Sequence, residues 1–202
     1  MNVPGTPIPA VGGRGIVLRG NNIDTDQIIP ARYLRMVTFD GLGRHVFEDE
    51  RKAAGGTHPF DDPRFAGAKI LFVNDNFGSG SSREHAPQAL ARWGIEAIVG
   101  ESFAEIFFGN STTLGLPLVT LPTADADELQ QLVEESPSLE FSLDVNALRL
   151  TAGEREYPIS LPAPTREALL SGRWDALGEL RENLDAVKKV HDKLPYVTGF
   201  AG

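Results

Sequence analysis

Residues 74–86 read NDNFGSGSSREHA. Two glycines, three serines and then Arg83, Glu84 and His85 follow one another with hardly an apolar side chain between them. Such a run can hold a small anion. Gly78 and Gly80 can take positive φ and let backbone approach a ligand closely. Arg83 brings a fixed charge and a planar fork that suits a carboxylate. If a helix follows, its first N–H groups add a favourable dipole. The same residues also spell a helix cap. Ser81-Ser82-Arg83-Glu84 has the S-x-x-E form of a capping box, and Ser102-Phe103-Ala104-Glu105 repeats it. The pattern alone leaves both readings open. Two nucleotide motifs are excluded. Arg83 stands where a dinucleotide fingerprint has its third glycine, and no Gly-Lys-Ser/Thr follows as in a P-loop.

The surrounding elements must aim this loop. Lys69 to Val73 is an apolar run of strand length, and REHAPQALARWG after the loop has helical spacing, with Pro87 in the first turn and Gly94 at the end. The loop therefore leaves the carboxyl end of a buried strand, where open α/β sheets bind ligands. Ile95 to Val99 and Leu116 to Leu121 read as two more buried strands, with the short helix SFAEIFFGNS between them. TADADELQQLVEESP is an amphipathic helix with an acidic first turn. Alternation of this kind predicts a parallel sheet with crossover helices. Upstream, Gly15 to Arg19 reads as a strand, GNNIDTDQIIPARYL as a polar loop, and residues 48–64 as an exposed connection with two breakers. After Ser138 come two or three short strands with Asn and Gly turns, an antiparallel section, and then helix. The fold class expected is α/β: one domain over 1–202, with a loose arm at 1–12 and a helical C-terminal extension at 174–202.

Composition narrows the chemistry. A formal charge of −9 argues against nucleic acid or an anionic membrane as partner, though not against a local basic pocket. No apolar run approaches the roughly 18 to 20 residues that span a bilayer. The first residues lack the basic and apolar blocks of a signal peptide, so a cytoplasmic protein is expected. There is no cysteine, hence no disulfide and no thiolate ligand. His45, His58 and His191 show no metal spacing.

Three segments together carry a family resemblance. NFGSGSSREHAPQAL resembles the Gly-x-Ser-Ser-Arg-Glu-His-Ala loop of the swivelling domain of the aconitase superfamily. NNIDTDQIIPARYL is similar to its Asp-Thr-Asp-x-Ile-Ile-Pro segment, and GESFAEIFFGNSTTLGLPLV to its third signature. They stand in the family's order over roughly residues 13 to 121, in a chain the length of a free-standing small subunit. The resemblance implies a β/β/α-type swivelling domain and a hydro-lyase that shifts a hydroxyl between adjacent carbons of a small dicarboxylate. It implies a [4Fe-4S] cluster. Without cysteine, this chain leaves that cluster to a separate large subunit, in a heterodimer or larger hetero-oligomer.

By the same resemblance Ser81 is the catalytic base, Ser82 and Arg83 bind substrate carboxylate, and Gly80 contributes backbone N–H or space. Arg35 lies where the superfamily places a second substrate arginine. Tyr33, Leu34 and Met36 are candidates to line a pocket for an apolar substituent, with local packing as the alternative. Asp24 and Asp26 read as backbone caps rather than a metal pair, and His85 as a structural hydrogen-bonder. Two other functions remain open at this point: the same chemistry on citraconate or another substituted malate, and a non-catalytic anion-binding or assembly module on the same fold.

Overall fold

The computed structural model describes residues 5–36, 38–81, 83–175 and 183–197. Its centre is a seven-stranded sheet: β1 (Ala10–Val17), β2 (Ile70–Phe72), β3 (Ala97–Gly100), β4 (Leu118–Thr120), β5 (Glu140–Asp144), β6 (Arg149–Ala152) and β7 (Arg155–Pro158), in the spatial order β4-β3-β2-β1-β5-β6-β7. β1 to β4 run parallel, whereas β5, β6 and β7 are antiparallel hairpin neighbours.

β1 joins the two parts and changes character along its length. Ala10 to Arg14 pair antiparallel with β5, while Gly15 to Val17 pair parallel with β2. Its first half alternates between solvent and core; its last three residues are all buried. An antiparallel section can wet one face, but a parallel section is covered on both. Hence Ile70–Phe72 and Ala97–Gly100 are buried at every position. The sheet then curls until its edges meet. Thr120 and Ser160 exchange two backbone hydrogen bonds, 3.0 and 2.8 Å, so β4 is paired beyond β3.

Seven α-helices lie among the described residues: α1 (Thr25–Ile28), α2 (Glu48–Ala54), α3 (His85–Trp93), α4 (Glu105–Thr112), α5 (Thr123–Glu135), α6 (Ala163–Ser171) and α7 (Leu184–His191). α3 and α4 are the crossovers from β2 to β3 and from β3 to β4. A single core runs from Ile8 to Trp174. None of the described helices is long and apolar enough to cross a membrane.

Three expectations need correction. The arm is not loose where it is described: the strand starts at Ala10, Ile8 and Val11 are buried, and Ile8 N–H donates to Leu169 O at 2.8 Å. Pro9 and the following glycines look like loop locally, but pairing with β5 decides their conformation. The expected extension likewise begins inside the body, where buried Trp174 donates its indole N–H to Thr6 O at 2.9 Å. Residues 48–64 are more than a connection. They hold α2 and two 3₁₀ turns begun by Pro59 and Pro63, and Phe60 packs between Phe47 and Trp93 at 4.9 and 4.6 Å. The expected breakers are end signals: Gly55 closes α2 in left-handed backbone, and each proline opens a turn.

Candidate active site

The three polar segments lie side by side because the strands before them do. β1, β2 and β3 are neighbours, and the chain beyond their carboxyl ends keeps bonding in the same order. Asn22 N–H donates to Asp75 O at 2.9 Å, Gly78 N–H to Ile23 O at 2.8 Å, and Thr25 N–H to Ser79 O at 2.9 Å. On the other side Phe77 N–H reaches Ser102 O at 3.2 Å, and Ala104 N–H reaches Phe77 O at 3.0 Å. Phe77 is the apolar anchor of this middle loop. It is fully buried and meets Phe107 edge-on at 5.4 Å. Burial of one such ring is worth about 1.5–3 kcal/mol, enough to pin a loop otherwise made of polar side chains.

Gly80 is the tightest point. Its φ is +87°, and a Cβ there would stand 2.1 Å from Asp24 Oδ2. That carboxylate cannot move aside cheaply, since Asp24 caps α1: it accepts from Asp26 N–H at 2.7 Å, while Gln27 Oε1 accepts from Asp24 N–H at 2.8 Å. Gly80 therefore supplies space for Asp24. Next to it the backbone of Ser81 is held by Thr25 Oγ1, which donates to Ser81 O at 3.0 Å. The Ser81 side chain is exposed, and its hydroxyl makes no hydrogen bond among the described residues. Ser82, expected to bind carboxylate, lies outside the described residues.

The capping-box reading fails at both helices. α3 is preceded by Glu84 in helical backbone, without a side-chain cap; Glu84 Oε1 instead accepts from Gln88 Nε2 at 3.0 Å. α4 is preceded by Ala104, again without a side-chain cap. Ser102 accepts from Asn76 N–H at 2.8 Å and donates to Asp75, so it braces the middle loop. At α4 partners distant in sequence outcompete the local pattern, whereas at α3 Glu84 turns to Gln88 one helical turn on.

Arg83 is largely buried, 15% exposed, and its guanidinium is ion-paired with Asp26. Of the two aspartates read as caps, only Asp24 is one. Asp26 points across to the loop, a partnership between residues too far apart for local spacing to reveal. His85, expected to be a hydrogen-bonder, packs its ring edge-on against Phe39 at 5.0 Å, and its buried Nε2 has no hydrogen-bond partner among the described residues. That contact brings the chain beyond residue 31 to the start of α3.

There, Ala31–Arg35 forms a 3₁₀ turn. Tyr33 and Met36 pack against the core, which favours local packing for both. Leu34 is half-buried and is not among the side chains packed there; Arg35 is exposed and forms no ion pair among the described residues. The structure thus sets Gly80 against Asp24, Ser81 against Thr25 and Arg83 against Asp26, and puts Leu34 and Arg35 on the adjoining turn. A polar cleft of about 370 Å³ behind that turn is lined by Arg44, His45, Glu48, Arg51, Lys52 and Asp61. Most of its polar side chains are paired within it: Arg51 with Asp61, and Lys52 and His45 with Glu48. Bonds from Lys52 and Tyr33 hold the Glu48 carboxyl down to about 2. Asp49 is also lowered, by the two-bonded Arg32.

The donor set does not fit an iron–sulfur cluster. The sequence has no cysteine, and among the described residues no three His, Asp or Glu gather as metal ligands.

A sequence model of the aconitase C-terminal domain matches residues 13–124. The 3-isopropylmalate dehydratase small subunit of Synechocystis sp. is 49% identical over 190 residues, covering 94% of this chain and 95% of that one. Its counterpart in Thermus thermophilus is 50% identical over 189 residues, covering 92% and 94%. The crystal structure of 3-isopropylmalate dehydratase from Methanocaldococcus jannaschii superposes with a TM-score of 0.64 at 25% identity, over 89% of this chain and 99% of that one. The chain belongs to the aconitase C-terminal domain family and groups there with the small subunits of 3-isopropylmalate dehydratase.

Proposed function

We infer that this chain is the small subunit of a cytoplasmic hydro-lyase that interconverts 2-isopropylmalate and 3-isopropylmalate in leucine biosynthesis, active only with a large subunit. The observation that carries the reading is an exposed Ser81 hydroxyl, without a hydrogen-bond partner among the described residues, on a backbone pinned beside the largely buried Arg83. Ser81 is the base. It takes the proton from the C–H next to the departing hydroxyl, a carbon–carbon double bond forms, and water is released. Readdition of water with the opposite regiochemistry gives the isomer, and Ser81 returns the proton. A serine does this only where its alkoxide is stabilised, and Arg83 with loop N–H groups in a closed, water-poor site can provide that.

Arg83 has donors beyond the one engaged by Asp26, and these hold a substrate carboxylate; Ser82 donates to the same group. Arg35 takes the second carboxylate, and Leu34 lies against the alkyl substituent. The iron–sulfur cluster is assigned to the large subunit, together with the groups that handle the leaving hydroxyl. Ser81 stands open to solvent in this chain alone, so the large subunit must close the site. The test is co-purification with that subunit and assay on 2-isopropylmalate, citraconate and a methyl-substituted malate. Preference for isopropylmalate supports the reading; preference for either other compound reassigns the substrate, and no turnover of any refutes the enzyme.

A further inference from the structure

The turn that carries Leu34 and Arg35 has no fully buried residue and no side-chain cap at its start. Short 3₁₀ turns have poor internal hydrogen bonds, so something outside must hold it. Arg32 donates two N–H bonds to the Asp49 carboxylate, 2.8 and 2.7 Å, in the two-bonded geometry of an arginine fork. Tyr33 donates its hydroxyl to Glu48, and its ring stacks on His45 at 4.1 Å. The Arg32 guanidinium lies over that ring, 4.9 Å from its centre. Glu48 and Asp49 are the first two residues of α2, so the clamp is mounted on a helix that starts from the buried Phe47 and is tied down through the Arg51–Asp61 ion pair. The pair itself is open to water, with Arg32 45% and Asp49 55% exposed, and such pairs add little to global stability. What they fix is the place of the turn.

We propose that Glu48 and Asp49 are positioning residues for substrate selectivity. They hold Arg32 and Tyr33 so that the next two residues, Leu34 and Arg35, meet the substrate's alkyl substituent and its second carboxylate. The proposal rests on the function inferred above. Neither acidic residue touches substrate; each acts through the turn.

The test uses Glu48→Gln, Asp49→Asn and the double variant, each co-purified with the large subunit. The first readout is hydrogen exchange at Tyr33 and Met36, whose amides close the turn on Pro30 O and Tyr33 O at 2.9 and 3.1 Å. The second is the ratio of kcat/KM for isopropyl- over methyl-substituted malate, with the melting temperature of the complex alongside. Exchange should accelerate in all three variants, while the melting temperature of the Asp49→Asn complex changes little. The ratio should fall by about tenfold, the scale on which hydrophobic pockets discriminate alkyl groups. The loss should sit in KM for the isopropyl substrate, with kcat for the methyl substrate within about twofold of wild type. Unchanged exchange overturns the clamp, whatever the enzyme does. Faster exchange with an unchanged ratio overturns the selectivity role and leaves the inferred function standing. A wild-type complex that turns over neither malate overturns that function and this proposal with it.

Discussion

Arg83 and Asp26 form an ion pair between two polar segments that follow adjacent parallel strands, and 57 residues of chain separate them. Arg83 is mostly buried and Asp26 is half exposed, so the pair fixes the guanidinium at the rim of the site without enclosing it. Asp26→Asn should therefore leave the fold intact and loosen the fork. A charge-assisted hydrogen bond is worth about 1.5–3 kcal/mol, which translates to a loss of about 10- to 100-fold in kcat/KM of the assembled enzyme. Arg83→Lys should be worse and nearly as poor as Arg83→Ala, because lysine keeps the charge but has no planar fork. Steady-state kinetics on the three complexes settles it. Near-normal kcat/KM for lysine would reduce Arg83 to diffuse charge.

Ser102→Ala should behave as a stability variant. Its hydroxyl links Asn76 N–H and Asp75, so removal strands a backbone donor at a cost of about 1–3 kcal/mol. The measurement is the urea midpoint of the isolated chain, followed by kcat of the complex. The midpoint should fall, and kcat should hold to within about an order of magnitude, since no reacting group is lost. An unchanged midpoint would mean that the middle loop does not lean on Ser102.

Acid should weaken the protein in a definite window. Glu48 is held at about 2 in the fold, lowered first by Lys52 and then by Tyr33. A carboxyl lowered by folding stabilises above its unfolded value and loses that contribution as pH falls towards its folded value. For Glu48 the window runs from about 4.5 down to about 2. Asp49 and Asp61 act with the same sign through Arg32 and Arg51. His58, lowered by burial, begins to cost stability earlier, as pH drops below its unfolded value of 6.5. Glu48→Gln should thus be less stable than wild type near neutrality, and the gap should narrow below pH 4.5 in urea titrations. A gap constant with pH would show that Glu48 contributes by packing, not by charge.

What the sequence made legible follows from how local each signal is. Ile70–Phe72 and Ala97–Gly100 announce themselves because parallel strands are apolar on both faces. α5 does so through its apolar stripe and acidic start. Gly78 and Gly80 mark positive φ at the positions where the loop needs it. Ala10 to Gly12 were illegible because only pairing with Ser142 to Asp144 makes them strand. The two S-x-x-E patterns left cap and site open for the same reason. The pattern is local, whereas the backbone of Ser81 is held from Thr25 and the Ser102 hydroxyl is spent on Asn76 and Asp75. α2 was missed although its ends were visible: acidic residues open it, basic residues close it, and Gly55 stops it.

The central claim is that Ser81 is a base in a site completed by a second chain. The direct measurement is turnover of 2-isopropylmalate by four anaerobic preparations: wild type and Ser81→Ala, each alone and each with the large subunit. Ser81 is exposed and caps no helix, so Ser81→Ala should melt within about 0.5 kcal/mol of wild type and assemble normally. Only the wild-type complex should turn over, with Ser81→Ala slower by several orders of magnitude, roughly 4 kcal/mol or more in barrier. Turnover by the isolated chain, or an assembled Ser81→Ala complex within tenfold of wild type, would contradict it.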